Sequence, residues 1–241
     1  MEKKTVKKDT EKIIGILGGM GPLATADLFK KIIMHTKAAS DSEHIRVIID
    51  SNTKIPDRTE YIMGRGPSPV SEMIKTALKL EMMGAEIIVM PCNTAHYFYD
   101  SINEHVKADF INMIEETAAE IISRGNSGKT IALLATEGTC KAGVYDSVFE
   151  KKGLNLIKPE KKYQDIISSV IYDVKKGIFR KYEESLGIAV SELKKKGADL
   201  FILGCTELPV YFETLGIKEN TADPTDILAK AAVLKAGGKI I

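Results

Sequence analysis

Two cysteines stand in matching surroundings. Residues 84–92 read GAEIIVMPC and residues 197–205 read GADLFILGC: each is glycine-alanine, an acid, an apolar run, proline or glycine, then the cysteine. The apolar runs predict strands, which places Cys92 and Cys205 at carboxyl ends, where open α/β sheets bind their ligands. Residues 93–106 and 206–216, just beyond the cysteines, predict helices. A thiol at a helix N-terminus meets the positive end of the dipole, so the pattern predicts lowered pKa values and ready thiolates. The exposed N–H groups there, with the side chains of Asn93, Thr94 and Thr206, suit a carboxylate.

A single cysteine at a strand end reads as a small buried hydrophobe. Two in the same context read as a working pair. Identical acid/base groups on opposite walls of a cleft suit inversion at a carbon centre, where one face loses a proton and the other gains one. Nucleophilic catalysis would instead need one cysteine with a base and an orienting partner. There is no CxxC, and Cys92 with His96 makes at most half a zinc site, so no metal is expected. The third cysteine, Cys140, lacks the strand-end setting and reads as structural.

These residues need a scaffold. "IIGIL" (13–17), "IRVIID" (45–50), "EIIVM" (86–90), "TIALL" (130–134) and "DLFIL" (199–203) read as buried parallel strands. "TADLFKKIIMHTKAA", "SEMIKTALKLEMMG" and "FRKYEESLGIAVSELKKKG" read as amphipathic helices, the last two closed by Gly84 and Gly197. The alternation gives an α/β fold with mainly parallel sheets. "IIGILGGMG" (13–21) and "TIALLATEG" (130–138) repeat a strand running into a small-residue turn. With the cysteine repeat, this implies two pseudo-symmetric α/β domains and a site in the cleft between them. The division expected is 13–108 plus 217–241, carrying Cys92, and 109–216, carrying Cys205, behind a flexible tail at 1–12.

The totals of the 241 residues fit that picture. The chain is 44% hydrophobic, and 34 Lys and Arg offset 33 Asp and Glu, which favours neither nucleic acid nor an acidic membrane surface. No apolar run approaches the ~20 residues needed to span a bilayer. Three cysteines are too few for a disulfide scaffold and point to the cytoplasm. "SRGNSGKT" (123–130) ends like a phosphate-binding loop but lacks its first glycine and precedes a strand, so nucleotide binding is not expected.

With "GGMGPLAT" (18–25), "NTKIPDR" (52–58), "PCNTAH" (91–96) and "GCTEL" (204–208) in this order across nearly the whole chain, the sequence resembles the aspartate/glutamate racemase superfamily, and within it the aspartate racemases. Glutamate racemases usually carry an Asp-Ser-Gly-type first turn where this chain has LGGMG, and histidine where it has Glu207. The resemblance implies a cofactor-independent amino-acid racemase, commonly a homodimer, with aspartate as its small-molecule substrate. By motif, Cys92 and Cys205 are the acid/base pair. Asn93, Thr94 and Ala95 belong to the substrate-carboxylate site, with Asn52 and Arg58 from the "NTKIPDR" motif; arginine's planar fork matches a carboxylate. Lys175 resembles the family's lysine in the cleft, although Lys176 is adjacent. Met20 lines the pocket, Thr136 and Thr139 occupy the equivalent turn of the second half, and Thr206 follows the second thiol. Glu207 positions that thiol, binds the substrate ammonium or favours the helix start. Segment 52–70, rich in Gly and Pro, reads as a loop over the site.

The rival readings are a glutamate or broad-specificity amino-acid racemase and, from another class, a non-catalytic amino-acid-binding protein. One methylene in a pocket discriminates by only ~1–3 kcal/mol, which leaves the substrate open.

Overall fold

Strands and helices alternate throughout this computed structural model, which describes residues 11–178, 183–214, 216 and 219–241. The first half runs β1 (Ile14–Gly18), α1 (Pro22–His35), β2 (Val47–Ser51), α2 (Arg58–Ile62), α3 (Val70–Met82), β3 (Ile87–Val89), a 3₁₀ turn (Thr94–Phe98), α4 (Tyr99–Asn103), β4 (Asp109–Phe110) and α5 (Met113–Ser123). The second runs β5 (Thr130–Ala135), α6 (Glu137–Ala142), α7 (Val144–Lys151), β6 (Asn155–Ile157), α8 (Lys161–Lys175), α9 (Glu183–Lys195), β7 (Ala198–Gly204), α10 (Glu207–Thr214), β8 (Thr221–Ala222) and α11 (Pro224–Lys235). They form two four-stranded sheets, ordered β2-β1-β3-β4 and β6-β5-β7-β8. All their ladders among the described residues are parallel. Each sheet therefore reverses its winding direction at one place, between β1 and β3 in the first and between β5 and β7 in the second. Such switch points leave a crevice at the carboxyl ends of the strands.

Both faces of each sheet are covered, which explains the unbroken apolar runs. On one face of the first sheet, Ile14, Ile16, Ile87 and Val89 meet Leu28 and Ile32 of α1; on the other, Leu17, Ile88 and Met90 meet Met73, Ala77 and Leu80 of α3. In the second sheet, Leu134, Phe201 and Leu203 pack on Ile167, Val170 and Ile171 of α8. Each of the larger of these side chains, fully withdrawn from water, contributes about 1.5–3 kcal/mol.

Two helices are exchanged between the halves. α5 leaves the last strand of the first sheet, yet its Ile114, Ala118 and Ile121 pack with Ile131 and Leu133 of β5 and with Tyr145 and Phe149 of α7. α11 leaves the last strand of the second sheet, and its Leu228, Ala229 and Ala232 pack with Ile14 and Ile16 of β1. Their starts are capped alike: Asn112 Oδ1 accepts from the Ile114 N–H at 2.9 Å, and Asp223 Oδ1 from the Thr225 N–H at 2.9 Å. Lys31 of α1 donates to Asp223 at 2.7 Å and also to Asp27, fixing α11 on the first half. The boundaries expected at 108/109 and 216/217 each lie just before a short strand that belongs to the preceding sheet.

The five expected strands and the amphipathic helices lie where the apolar patterns put them, with Gly84 and Gly197 at φ +100° and +91° after α3 and α9. Of the expected 1–12 tail, residues 1–10 lie outside the described residues, as do residues 179–182 of the last expected helix. The segment expected as a helix over 93–106 is a 3₁₀ turn followed by a short α-helix. Among the described residues no helix is long and apolar enough to cross a membrane.

The turn after β1 is shaped by close approach. A Cβ on Gly19, at φ +90°, would lie 2.3 Å from the Asn52 backbone carbon, and one on Gly18 would lie 2.4 Å from the Thr25 side chain. Thr25 Oγ1 then accepts from the Gly19 N–H at 2.8 Å and donates to Gly21 O at 3.0 Å. Gly19→Ala is expected to lower stability by about 1–3 kcal/mol through the left-handed backbone alone, and by more through the clash. Urea unfolding of the two proteins measures it; an unchanged midpoint would contradict this account of the turn.

Candidate active site

The carboxyl ends of β1, β3, β5 and β7 open onto one cleft, lined from both halves. Cys92 and Cys205 both line it, each 9% exposed. Met20, from the turn after β1, supplies an apolar wall beside them.

The two thiols are not alike. Cys205 Sγ donates to Glu207 Oε2 at 2.8 Å, and Thr206 Oγ1 donates to the same oxygen at 3.2 Å. Burial pushes the Cys205 pKa well up, the Glu207 charge and hydrogen bond push it further, and Lys175 opposes them. The sequence pattern predicted the reverse, a helix start favouring thiolate. Dehydration and an adjacent carboxylate outweigh the dipole of α10, so Cys205 is held as a thiol. Of the roles open to Glu207, its geometry is that of a group that positions the second thiol.

Lys175, from the last turn of α8, lines the cleft; Lys176 is turned outward, with Asp173 at 3.7 Å. Much of the Lys175 side chain is exposed, but its charge lies among the reactive groups. Burial works against that charge; Cys205, Glu207 and Cys92 outweigh it, and the pKa is raised. Its Nζ sits 5.5 Å from the centre of the Tyr172 ring. Tyr172, also in the lining, was missed by the sequence reading, although its place three residues before Lys175 puts it on the same helix face.

Asn93, Thr94 and Thr136 line the cleft; Thr139 and Ala95 stand behind it, fully buried. Thr94 Oγ1 lies 2.7 Å from Thr139 Oγ1 and 3.2 Å from Thr136 Oγ1, and the last two are 3.0 Å apart. Thr136 also caps α6, accepting from the Thr139 N–H at 3.2 Å. Asn52 lies outside the lining: its backbone abuts Gly19 and its Nδ2 donates to Thr76 Oγ1 at 2.9 Å, so it supports the first turn.

Segment 52–70 is a folded cover. Ile55 and Thr59 are buried, and Asp57 caps α2 by accepting from the Glu60 N–H at 2.9 Å. It brings Asp57, Arg58 and Thr59 to the cleft; only the arginine had been anticipated. Arg58 Nη1 donates to Pro56 O at 3.0 Å and Ile55 O at 3.3 Å, while its buried Nε has no partner among the described residues. One edge of the fork is thus spent on its own loop. Arg65 pairs instead with Glu60 at 2.7 Å.

His96 is buried below Cys92. The Met113 N–H donates to Nε2 at 3.1 Å, so the proton is on Nδ1, which donates to Cys92 O at 2.9 Å. The ring ties the first thiol's backbone to the start of α5. Cys140 Sγ donates to Gln164 at 3.3 Å, and burial raises its pKa to about 11. Among the described residues no three His, Cys, Asp or Glu side chains are grouped to hold a metal.

Known proteins resemble this chain in sequence and fold. The model of the Asp/Glu/hydantoin racemase family matches residues 17–232. The broad specificity amino-acid racemase RacX of Bacillus subtilis is 28% identical over 229 residues, 92% of this chain and 96% of the relative. The solved structure of Picrophilus torridus aspartate racemase superposes with a TM-score of 0.81 at 32% identity, covering 95% of this chain and 96% of its own. A glutamate racemase from Francisella tularensis shares the fold, with a TM-score of 0.67 at 17% identity over 95% of this chain and 83% of that one.

Burial pushes the His96 pKa down to about 4, against a carbonyl bond that raises it. Between that value and the ordinary ~6.5, the unfolded chain binds a proton that the folded chain refuses, so stability falls as pH falls through this window. The loss amounts to roughly 3 kcal/mol by pH ~4, and His96→Gln removes it. Urea midpoints of both proteins across this range check the difference; parallel curves would refute it.

Proposed function

The chain belongs to the Asp/Glu/hydantoin racemase family, and on that premise we propose that it interconverts L- and D-aspartate by proton transfer between two thiols, without pyridoxal phosphate. The observation that carries the reading is the pair Cys92 and Cys205, from matching positions of the two halves, lining one cleft. Cys92 as thiolate takes the α-hydrogen as a proton. The C–H electron pair remains on the substrate, delocalised into the α-carboxylate, and Cys205 delivers its proton to the opposite face. Cys92 is then the thiol and Cys205 the thiolate, ready for the other enantiomer.

The α-proton is very weakly acidic, so the site must stabilise the charge that develops. Asn93 Nδ2 and Arg58 Nε are buried donors with no partner among the described residues, which suits them to carboxylate oxygens in a dry cleft. Lys175 lies within electrostatic reach of both thiols, so its charge favours thiolate on whichever side it forms. Aspartate is favoured over glutamate by the GGMG turn and by likeness to the Picrophilus torridus aspartate racemase. Likeness to RacX supports broader specificity as the second reading. Two working thiols weigh against a purely binding protein. The proposal extends to a cytoplasmic homodimer.

The test is deuterium uptake at the α-carbon of L- and D-aspartate in D₂O, followed by proton NMR under reducing conditions, with glutamate in parallel. Exchange with racemisation of aspartate is expected, and Cys92→Ala and Cys205→Ala each lower it by about 10²–10⁴-fold. Exchange confined to glutamate moves the substrate and leaves the chemistry. Folded protein that exchanges neither amino acid refutes the reading.

A second expectation concerns Glu207. Its charge helps hold the proton on Cys205, so Glu207→Gln lowers the Cys205 pKa. In the direction that uses Cys205 as the acid, the alkaline fall in rate then begins at a lower pH. A pH–rate profile with the same alkaline limb in both proteins would contradict this role.

A further inference from the structure

The wall beside Cys92 holds a donor whose direction is set from the other half of the molecule. Asn93 lines the cleft, is 3% exposed, and its Nδ2 is buried without a hydrogen-bond partner among the described residues. The other end of the amide is occupied: the Tyr145 hydroxyl donates to Oδ1 at 2.6 Å. That is a length for O–H···O, whereas N–H···O bonds centre near 2.9 Å, so the oxygen faces the tyrosine and the nitrogen is left for the cleft.

Tyr145 can set this direction because nothing about it is loose. It stands in the first turn of α7, is 0% exposed and has the Phe149 ring edge-on at 5.6 Å. Burial raises its pKa, so the hydroxyl keeps its proton and remains a donor. Removing it leaves Oδ1 without its donor and frees the amide to turn its oxygen toward the cleft, where it would repel a carboxylate.

We infer that Tyr145 is a positioning residue: through Oδ1 it holds the Asn93 amide so that Nδ2 is presented to a substrate carboxylate. The inference rests on the amino-acid reading above. It also makes carboxylate binding depend on the docking of the halves, since Asn93 follows β3 and Tyr145 belongs to α7.

The test is a double-mutant cycle on the full chain. Tyr145→Phe, which keeps the ring, and Asn93→Ala are each expected to lower kcat/KM by roughly 10- to 100-fold. The double variant is expected to stay within about twofold of Asn93→Ala. Losses that multiply would overturn the inference, since Tyr145 would then act independently of Asn93; so would a Tyr145→Phe enzyme with unchanged kcat/KM. Asn93→Asp keeps an acceptor for Tyr145 and removes the donor, and it is expected to lose activity as Asn93→Ala does; a fully active Asn93→Asp protein would also overturn it. Wild type that exchanges no amino acid refutes the reading of function instead. The positioning is then read from the Asn93 side-chain amide ¹⁵N–¹H signals, assigned by their absence in Asn93→Ala. These shift in Tyr145→Phe if the hydroxyl holds the amide, and stay in place if it does not.

Discussion

A triangle of threonine hydroxyls joins the two halves at the wall of the cleft. Thr94 belongs to the half that carries Cys92, while Thr136 and Thr139 lie in the turn and helix that follow β5, and the three oxygens are 2.7–3.2 Å apart. Each hydroxyl has one proton to give and lone pairs to receive, so three can satisfy one another around a ring without water. The arrangement fixes where the segment after Cys92 sits relative to β5 and, through the β5–β7 ladder, relative to Cys205. Each such hydrogen bond contributes only about 0.5–1.5 kcal/mol net, so the junction aligns the halves and does not by itself hold them together.

The exchanged helices add a second constraint. α5 starts from the first sheet and is buried against the second, while α11 does the opposite. Neither sheet therefore has a complete apolar cover of its own. Hydrophobic burial holds the halves as one body, and the polar contacts near the cysteines set their alignment. This division of labour leaves the residues around the thiols free to be chosen for chemistry: Asn93, Thr94, Arg58, Glu207 and Lys175 are all polar.

Much of this was legible in the chain. The central strands read clearly because apolar runs buried on both faces have no competing pattern, and the repeat around Cys92 and Cys205 pointed to the two halves. β4, β6 and β8 were not visible: strands of two or three residues such as DF, NLI and TA carry no period. The helix exchange was not visible either, because an amphipathic stripe shows that a helix covers something without saying which sheet. Among the expected site residues, Asn52, Ala95 and Thr139 do not line the cleft, and a motif does not distinguish lining from support. The helix-dipole argument misled at Cys205 because burial depends on the other half and Glu207 on the local rotamer.

The inequality of the thiols has a definite place in the proposed reaction. Enantiomers have equal free energies in water, so the equilibrium between them is indifferent to the enzyme, and kcat/KM must be the same from either side. Burial and Glu207 favour the form with the proton on Cys205, and the form that has given that proton up is the minority. The enantiomer that requires the minority form binds with an apparent affinity reduced by that fraction. Its complex starts from higher free energy, so its barrier to the shared transition state is lower and its kcat rises by the same factor. The carboxylate beside Cys205 cannot bias the product. It divides one fixed barrier differently between binding and turnover for the two hands of the substrate.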